Sequence, residues 1–396
     1  MRFSPLLVLV LLMLILGNAS SRRNERKISG FVIGDAVYAP YNPFTSLFIQ
    51  DPLFDYSLYP LAHVGDDEKR RLDRIYLPRT GKILAENYDI IVFRDARVTH
   101  FTPRQFTDME NAFREEGMAS VAAHSLSWSE AWLPTVLYDL SPISEYNFRF
   151  SADWKVRFHR EREPVFTPFI ELGMEKVTGW EYGTMKPKQG TTIWADMEPG
   201  KGPWLVSWRP GGVNAGVQWS FADKFDVTWW GSAPGARDTN PYAIDFATNL
   251  ILYSLDRDLI SDIHARREAR AILSTFRAQE LLILSVLDWA EKFGANILPL
   301  TDELSEIELE ADDAVDFYLD QDYELTVTTI ESLAARINEI SKNAVILKDQ
   351  ALYWVYISEW LSVTAVFTLS GVLVWTLMVR RLKYREVEST KMSAGS

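Results

Sequence analysis

Apolar positions follow three patterns along this chain: an unbroken run near each end, short strand-like and helix-like alternation through the body, and a heptad spacing just before the second run. Pro5–Leu16 is uniformly apolar, with Arg2 before it and Gly17-Asn18-Ala19-Ser20 after it. A basic start, an apolar stretch and small residues at 17 and 19 predict a signal peptide, residues 1–19, cut after Ala19. Left uncleaved, the same run would be an anchor with the following domain on the same side. Leu361–Val379 is nineteen residues without a charge, and Arg380-Arg381-Leu382-Lys383-Tyr384-Arg385 follows at once. That length crosses a hydrocarbon core of ~30 Å as a helix, and the basic cluster assigns its far end to the cytoplasm. The expectation is a single-pass protein of the cell membrane, with the N-terminal domain outside, a bilayer-spanning helix at 353–379 and a cytoplasmic tail at 380–396.

In the body, Phe31–Val37, closing on a Gly34-Asp35 loop, Tyr88–Phe93 and Met118–Ala123 are largely apolar runs of strand length. Between them lie a short charged helix from Glu68 to Tyr76 and a second helix opening at Thr102-Pro103, with Phe106, Met109, Ala112 and Phe113 on one face. Thr as N-cap and Pro at the first helical position are start signals, and Gly117 is a stop. Continuous apolar strands separated by helices predict a parallel sheet covered on both faces. Further on, Thr191–Ala195, Trp204–Trp208 and Ala215–Phe221 form short aromatic strands, the last two joined by the hairpin-type turn Arg209-Pro210-Gly211-Gly212. An amphipathic helix from Tyr242 to Leu255 closes the domain.

Composition shifts after Leu255, and residues 256–352 read as a helical membrane-proximal stalk. Ser261–Phe293 is a charged and then strongly apolar helix, while Asp302–Glu324 holds eleven acids and no base, a solvated linker and helix face. Ile330, Leu333, Ile337, Ile340, Ala344, Leu347, Ala351 and Trp354 then alternate at spacings of three and four, a coiled-coil seam leading into the membrane helix. The seam either folds back on Ser261–Phe293 as an antiparallel hairpin, the favoured reading, or joins a second copy in a parallel dimer.

Charge and cysteine content narrow the chemistry. The formal net charge is −13; with +3 in the tail and +1 from Arg2, the body between them carries −17. So acidic a surface repels phosphate backbones, and nucleic acid is not an expected partner. The chain has no cysteine, so thiolate nucleophiles and cysteine-bound zinc are excluded. An exported domain without disulfides relies on its core, and 47% hydrophobic residues with 14 Trp supply one.

The segments Tyr88-Asp-Ile-Ile-Val-Phe93, Phe101-Thr-Pro-Arg-Gln105 and Glu116-Gly-Met-Ala-Ser-Val-Ala-Ala-His124-Ser125 resemble the trehalose-utilisation-like branch of the class I glutamine-amidotransferase-like superfamily. Pro164–Ile170, Gly173–Gly179, Pro203–Trp208 and Gly216–Phe221 extend the likeness over about residues 28–255. The resemblance implies an α/β, flavodoxin-like three-layer sandwich, followed here by the helical stalk and the membrane helix, with any site outside the carboxyl ends of the central strands. Catalytic amidotransferases carry a cysteine at the strand-to-helix elbow, where this chain has Ala123-His124-Ser125. Glutamine hydrolysis through a thiolate is therefore excluded, and His124 and Ser125 are the catalytic candidates that remain. On that fold Asp35 and Asp95 share the rim with His124, where they could hold a sugar or small molecule, or could simply cap turns. Trp229-Trp230 sits in an expected loop and is a candidate stacking edge for a sugar. No cofactor or metal is expected.

Three functional readings follow. The first is a membrane-tethered, non-catalytic domain that binds a small-molecule or protein partner outside the cell. The second is a cell-surface hydrolase acting on carbohydrate or amide with His124 and Asp35 or Asp95, and the third an accessory subunit whose span pairs with a membrane transporter.

Overall fold

The computed structural model describes residues 27–34, 42–60, 64–94, 96, 98–124, 135–148, 151–159, 164–225, 227–230 and 240–393. The predicted signal segment, Asp35, Asp95 and Ser125 lie outside them. The first half alternates: β1 (Ile28–Gly34), α1 (Pro43–Gln50), β2 (Phe54–Pro60), α2 (Asp66–Tyr76), α3 (Gly81–Asn87), β3 (Ile90–Arg94), α4 (Pro103–Arg114) and β4 (Ala119–Ala123). The second is richer in strands: α5 (Val136–Leu140), β5 (Ile143–Phe148), β6 (Trp154–Phe158), α6 (Thr167–Glu171), β7 (Thr178–Gly179), β8 (Gly183–Pro187), β9 (Thr192–Glu198), β10 (Gly202–Trp208), β11 (Gln218–Phe221), α7 (Val227–Trp230) and α8 (Ala243–Ser254).

Nine strands form one mixed sheet in the order β2-β1-β3-β4-β11-β10-β9-β6-β7. The first five run parallel, and the last four are added antiparallel beyond β11. Alternation along β1 sends Phe31 and Ile33 to one face, against Leu84 of α3 and Met109, Ala112 and Phe113 of α4. On the other face a side chain at Gly30 would meet the ring of Phe48 on α1 at 2.4 Å. The start of α4 is a capping box: Thr102 accepts from the Gln105 backbone while the Gln105 side chain accepts from Thr102 N at 2.8 Å.

Three long helices follow: α9 (Ile263–Lys292), α10 (Leu298–Leu319) and α11 (Tyr323–Ser393). Contacts divide the chain into two units, one comprising residues up to Ser274 with Val315–Thr326, the other Thr275–Ala314 with Val327–Ser396.

In the first unit the root of α9 carries two buried arginines. Asp51, at the end of α1, and Asp245, on α8, are 2% and 0% exposed and face Arg266 and Arg270, at 1% and 6%. Arg266 donates to Asp245 Oδ1 at 2.7 Å and to Asp51 Oδ2, while Arg270 donates to both oxygens of Asp245 at 2.6 and 2.9 Å. The Tyr318 hydroxyl of α10 donates to Asp51 Oδ2 at 2.9 Å, and Leu53 N donates to Asp51 Oδ1 at 3.0 Å. Burial works against charge on both guanidiniums, but the attraction of Asp51 and Asp245 more than offsets it and both pKa values rise.

The second unit buries the heptad seam within its own chain. Ile330, Leu333, Ile337, Ile340 and Ala344 are each at most 2% exposed. The acidic stretch is not a linker. It is helix α10, with Leu304, Ile307, Ala311 and Ala314 buried at helical spacing. The acids take the solvent-facing positions, so their number hides the apolar period beneath. Arg336 of α11 pairs with Glu310 of α10 at 2.5 Å, and burial followed by Glu308 and Asp312 raises the pKa of Glu280 on α9. The seam ends at Ala351, since Trp354 is 67% exposed. Beyond it α11 is long and apolar enough to cross a membrane, with none of its apolar window buried.

Two outcomes are expected. Asp245→Ala leaves two buried guanidiniums to one carboxylate and should lower stability by about 3–5 kcal/mol. Adding Arg270→Met should recover part of the loss, and urea unfolding followed by tryptophan fluorescence reads both. Ile340→Cys, the sole thiol in the chain, should form no inter-chain disulfide under oxidising conditions, because the seam is already covered. Efficient cross-linking would instead establish the parallel dimer.

Candidate functional site

Parallel register lines up the carboxyl ends of the central strands. Gly34 of β1 is level with Arg94 of β3, Arg94 with Ala123 of β4, and Ala123 with Phe221 of β11. The first two ends touch: a Cβ at Gly34 would stand 1.6 Å from the Arg94 carbonyl oxygen, so only glycine fits there. Arg94 is the last strand residue and is 1% exposed. Its guanidinium lies 6.0 Å from the centre of the Phe225 ring.

His124 follows β4 directly, and Asp223 stands two residues beyond the end of β11. Tyr146 of β5 ties these two segments together, its hydroxyl 2.5 Å from the His124 carbonyl oxygen and 3.3 Å from that of Ala222. Asp223 is fully buried and accepts from Trp230 Nε1 at 2.8 Å. Burial, and then the Asp223 charge, push the Tyr146 hydroxyl pKa upward, with Arg94 opposing. His124 is pulled down to about 3, first by desolvation and then by the Arg94 cation. At neutral pH the rim thus holds a neutral imidazole and a protonated phenol beside the Arg94 guanidinium and the Asp223 side chain.

Next to His124 is a cavity of about 50 Å³ lined by Phe93, Ser120, Leu140, Gln218 and Ser220. This is room for water rather than for a substrate. Part of its polar lining is engaged: Ser120 donates to Gln218 Oε1, and Gln218 Nε2 donates to the Met118 and Gly216 carbonyls at 3.2 and 3.0 Å, whereas Ser220 Oγ has no hydrogen-bond partner among the described residues. Among the described residues no group of three His, Asp or Glu side chains is placed to hold a metal.

The predicted stacking edge at Trp229-Trp230 is corrected by the structure. The two rings are 0% and 1% exposed and lie in an aromatic core with Trp204 and Phe246. The Trp204–Trp229 centroids are 4.6 Å apart, and Trp229–Trp230 are 4.9 Å apart. They fill the space between the antiparallel half of the sheet and α8, where their apolar area stabilises most. Of the predicted site residues, His124 alone stands at the rim among those described. Arg94, Tyr146 and Asp223 were not anticipated as a group. The positions of Arg94 and Asp223 at strand ends were readable, but the convergence of Tyr146 from β5 was not.

No family model matches the chain, and no curated protein matches it either. Among solved structures, one described as the mmIFT52 N-terminal domain aligns with 59% of this chain and 99% of its own length, at 9% identity and a TM-score of 0.33.

The His124 environment gives a stability prediction. Its folded pKa of about 3 lies below the unfolded value of ~6.5, so protonation favours the unfolded chain. The contribution is complete above ~6.5 and lost as pH falls towards 3, at up to about 1.4 kcal/mol per pH unit. Urea midpoints at about pH 7 and pH 5 should separate more in the native chain than in His124→Gln. Equal separation in both would remove His124 as the cause.

Proposed function

We propose that this chain is a membrane-tethered α/β domain that binds a ligand or protein partner on the outer side of the cell membrane and performs no amidotransferase chemistry. The observation that carries this reading is the state of His124. A base with a pKa of about 3 is far from the operating pH and abstracts protons poorly there, and no thiol is available for it to activate. The sheet order β2-β1-β3-β4-β11 supports a flavodoxin-like core, whose ligands meet the carboxyl ends of the strands. On this reading Arg94, Tyr146 and Asp223 shape the rim that a partner meets, and the basic residues after Val379 hold the tail in the cytoplasm.

The membrane helix supports a simple tether over an obligatory transporter subunit. Ser362, Thr364, Thr368, Ser370 and Thr376 each donate to the carbonyl four residues earlier, at 2.7 to 2.8 Å. Every one of these hydroxyls is satisfied inside the helix, so the span needs no polar partner in lipid.

The test uses the full chain. Protease added to intact cells should digest the α/β domain and spare an epitope placed after Ser389. The chain purified into lipid nanodiscs should release no ammonia from glutamine and hydrolyse no model ester or glycoside above buffer. Turnover that disappears in a folded His124→Gln variant would establish the hydrolase instead.

A further inference from the structure

We infer that a cleft in the first unit, remote in sequence from the rim, binds a neutral, polyhydroxylated ligand the size of a monosaccharide. The cleft has a volume of about 290 Å³ and is bordered by the turn after α8 and the turn between α10 and α11. Leu53, Leu252 and Ile260 give it an apolar wall, and Asp256, Asp258 and Gln321 stand at its mouth.

Tyr323 also lines it, at 7% exposure. The neighbouring Tyr318 gives its hydroxyl to Asp51, whereas the Tyr323 hydroxyl makes no hydrogen bond to any described residue. Burial pushes its pKa up to about 12, so it stays a protonated donor at neutral pH. A protonated phenol lining the cleft is a donor that a ligand would engage.

The turns themselves point the same way. Asp256 and Gln321 adopt left-handed backbone, with φ of 51° and 64°, just past the ends of α8 and α10. After α4 and α9 the chain meets the same need with Gly117 and Gly294, at 75° and 84°. Glycine takes this conformation freely and an L side chain is strained by it. Among these four helix ends, glycine stands at the two away from the cleft and a polar side chain at the two that border it. Asp256 is also 3.4 Å from Arg209, and Gln321 Nε2 is 3.4 Å from the Asp258 carbonyl, both long enough to yield to a ligand.

The chemistry selects hydroxyl groups. The four buried charges beneath, Asp51, Asp245, Arg266 and Arg270, neutralise one another, so no net charge draws an ion inward. Arg257 also lines the cleft, between Asp256 and Asp258, so outside the buried cluster the lining sets two carboxylates against one guanidinium and strongly favours neither ion sign. Hydroxyls donate to carboxylates and accept from an amide and a phenol, while the C–H face of a sugar ring suits the apolar wall.

The experiment titrates the full chain in lipid nanodiscs with D-glucose, D-galactose and D-mannose, read by saturation-transfer NMR and by thermal unfolding. At least one sugar should saturate. Tyr323→Phe should weaken it roughly fivefold, the loss expected of one hydrogen bond. The double variant Asp256→Gly/Gln321→Gly relieves backbone strain, so it should unfold at the same or a higher temperature, yet bind roughly tenfold more weakly. No saturable signal from any of the three sugars, or unchanged binding by the folded double variant, would overturn the proposal.

Discussion

Four buried charges govern the first unit. Asp51, Asp245, Arg266 and Arg270 are all withdrawn from water, and each such ion costs several kcal/mol in isolation. They are tolerated because nearly every donor and acceptor is used, including both oxygens of each carboxylate. The geometry is therefore demanding: if α1, α8 or the root of α9 shifts, an uncompensated charge is left in an apolar interior. Tyr318 draws the end of α10 into the same requirement through Asp51. Hydrophobic contact alone would allow these helices to slide, and the directional guanidinium–carboxylate pairs do not.

A smaller version of the same logic sets the character of the strand-end rim. Arg94 and Asp223 are buried there, and Tyr146 joins the chain after β4 to the chain after β11 through two carbonyls. This network organises the rim and also weakens the His124 imidazole. Desolvation and a nearby cation both oppose a proton on His124. The result is an imidazole held neutral beside a cavity of about 50 Å³.

What was legible in the sequence was what depends on local period. The runs at Phe31, Tyr88 and Met118, the Thr102 cap and the heptad from Ile330 all express patterns within one element, and each lies in the kind of element its pattern predicts. What was hidden depends on distant residues meeting. The pairing of Arg266 and Arg270 could not be read because Asp51 is more than 200 positions away and Asp245 lies on another helix. Trp229-Trp230 read as loop because the flanking Asp226 and Pro234 are polar and turn-like, while the burying partners Trp204 and Phe246 come from β10 and α8. The acids of α10 hid their own apolar stripe by outnumbering it.

The longest element shows how one backbone can serve two solvents. Residues 323–393 contain no proline and only Gly371, so nothing interrupts the hydrogen-bond ladder of α11. Up to Ala351 its apolar residues form a narrow stripe at three- and four-residue spacing, as suits a helix covered on one side and wet on the other. From Tyr353 onward apolar side chains are exposed around the helix, an arrangement unstable in water and stable in lipid. Tyr353, Trp354, Tyr356 and Trp360 occupy the change-over, and amphipathic rings suit the boundary between the two media. The change of period, rather than any break in the helix, marks where the stretch long and apolar enough to cross a membrane begins.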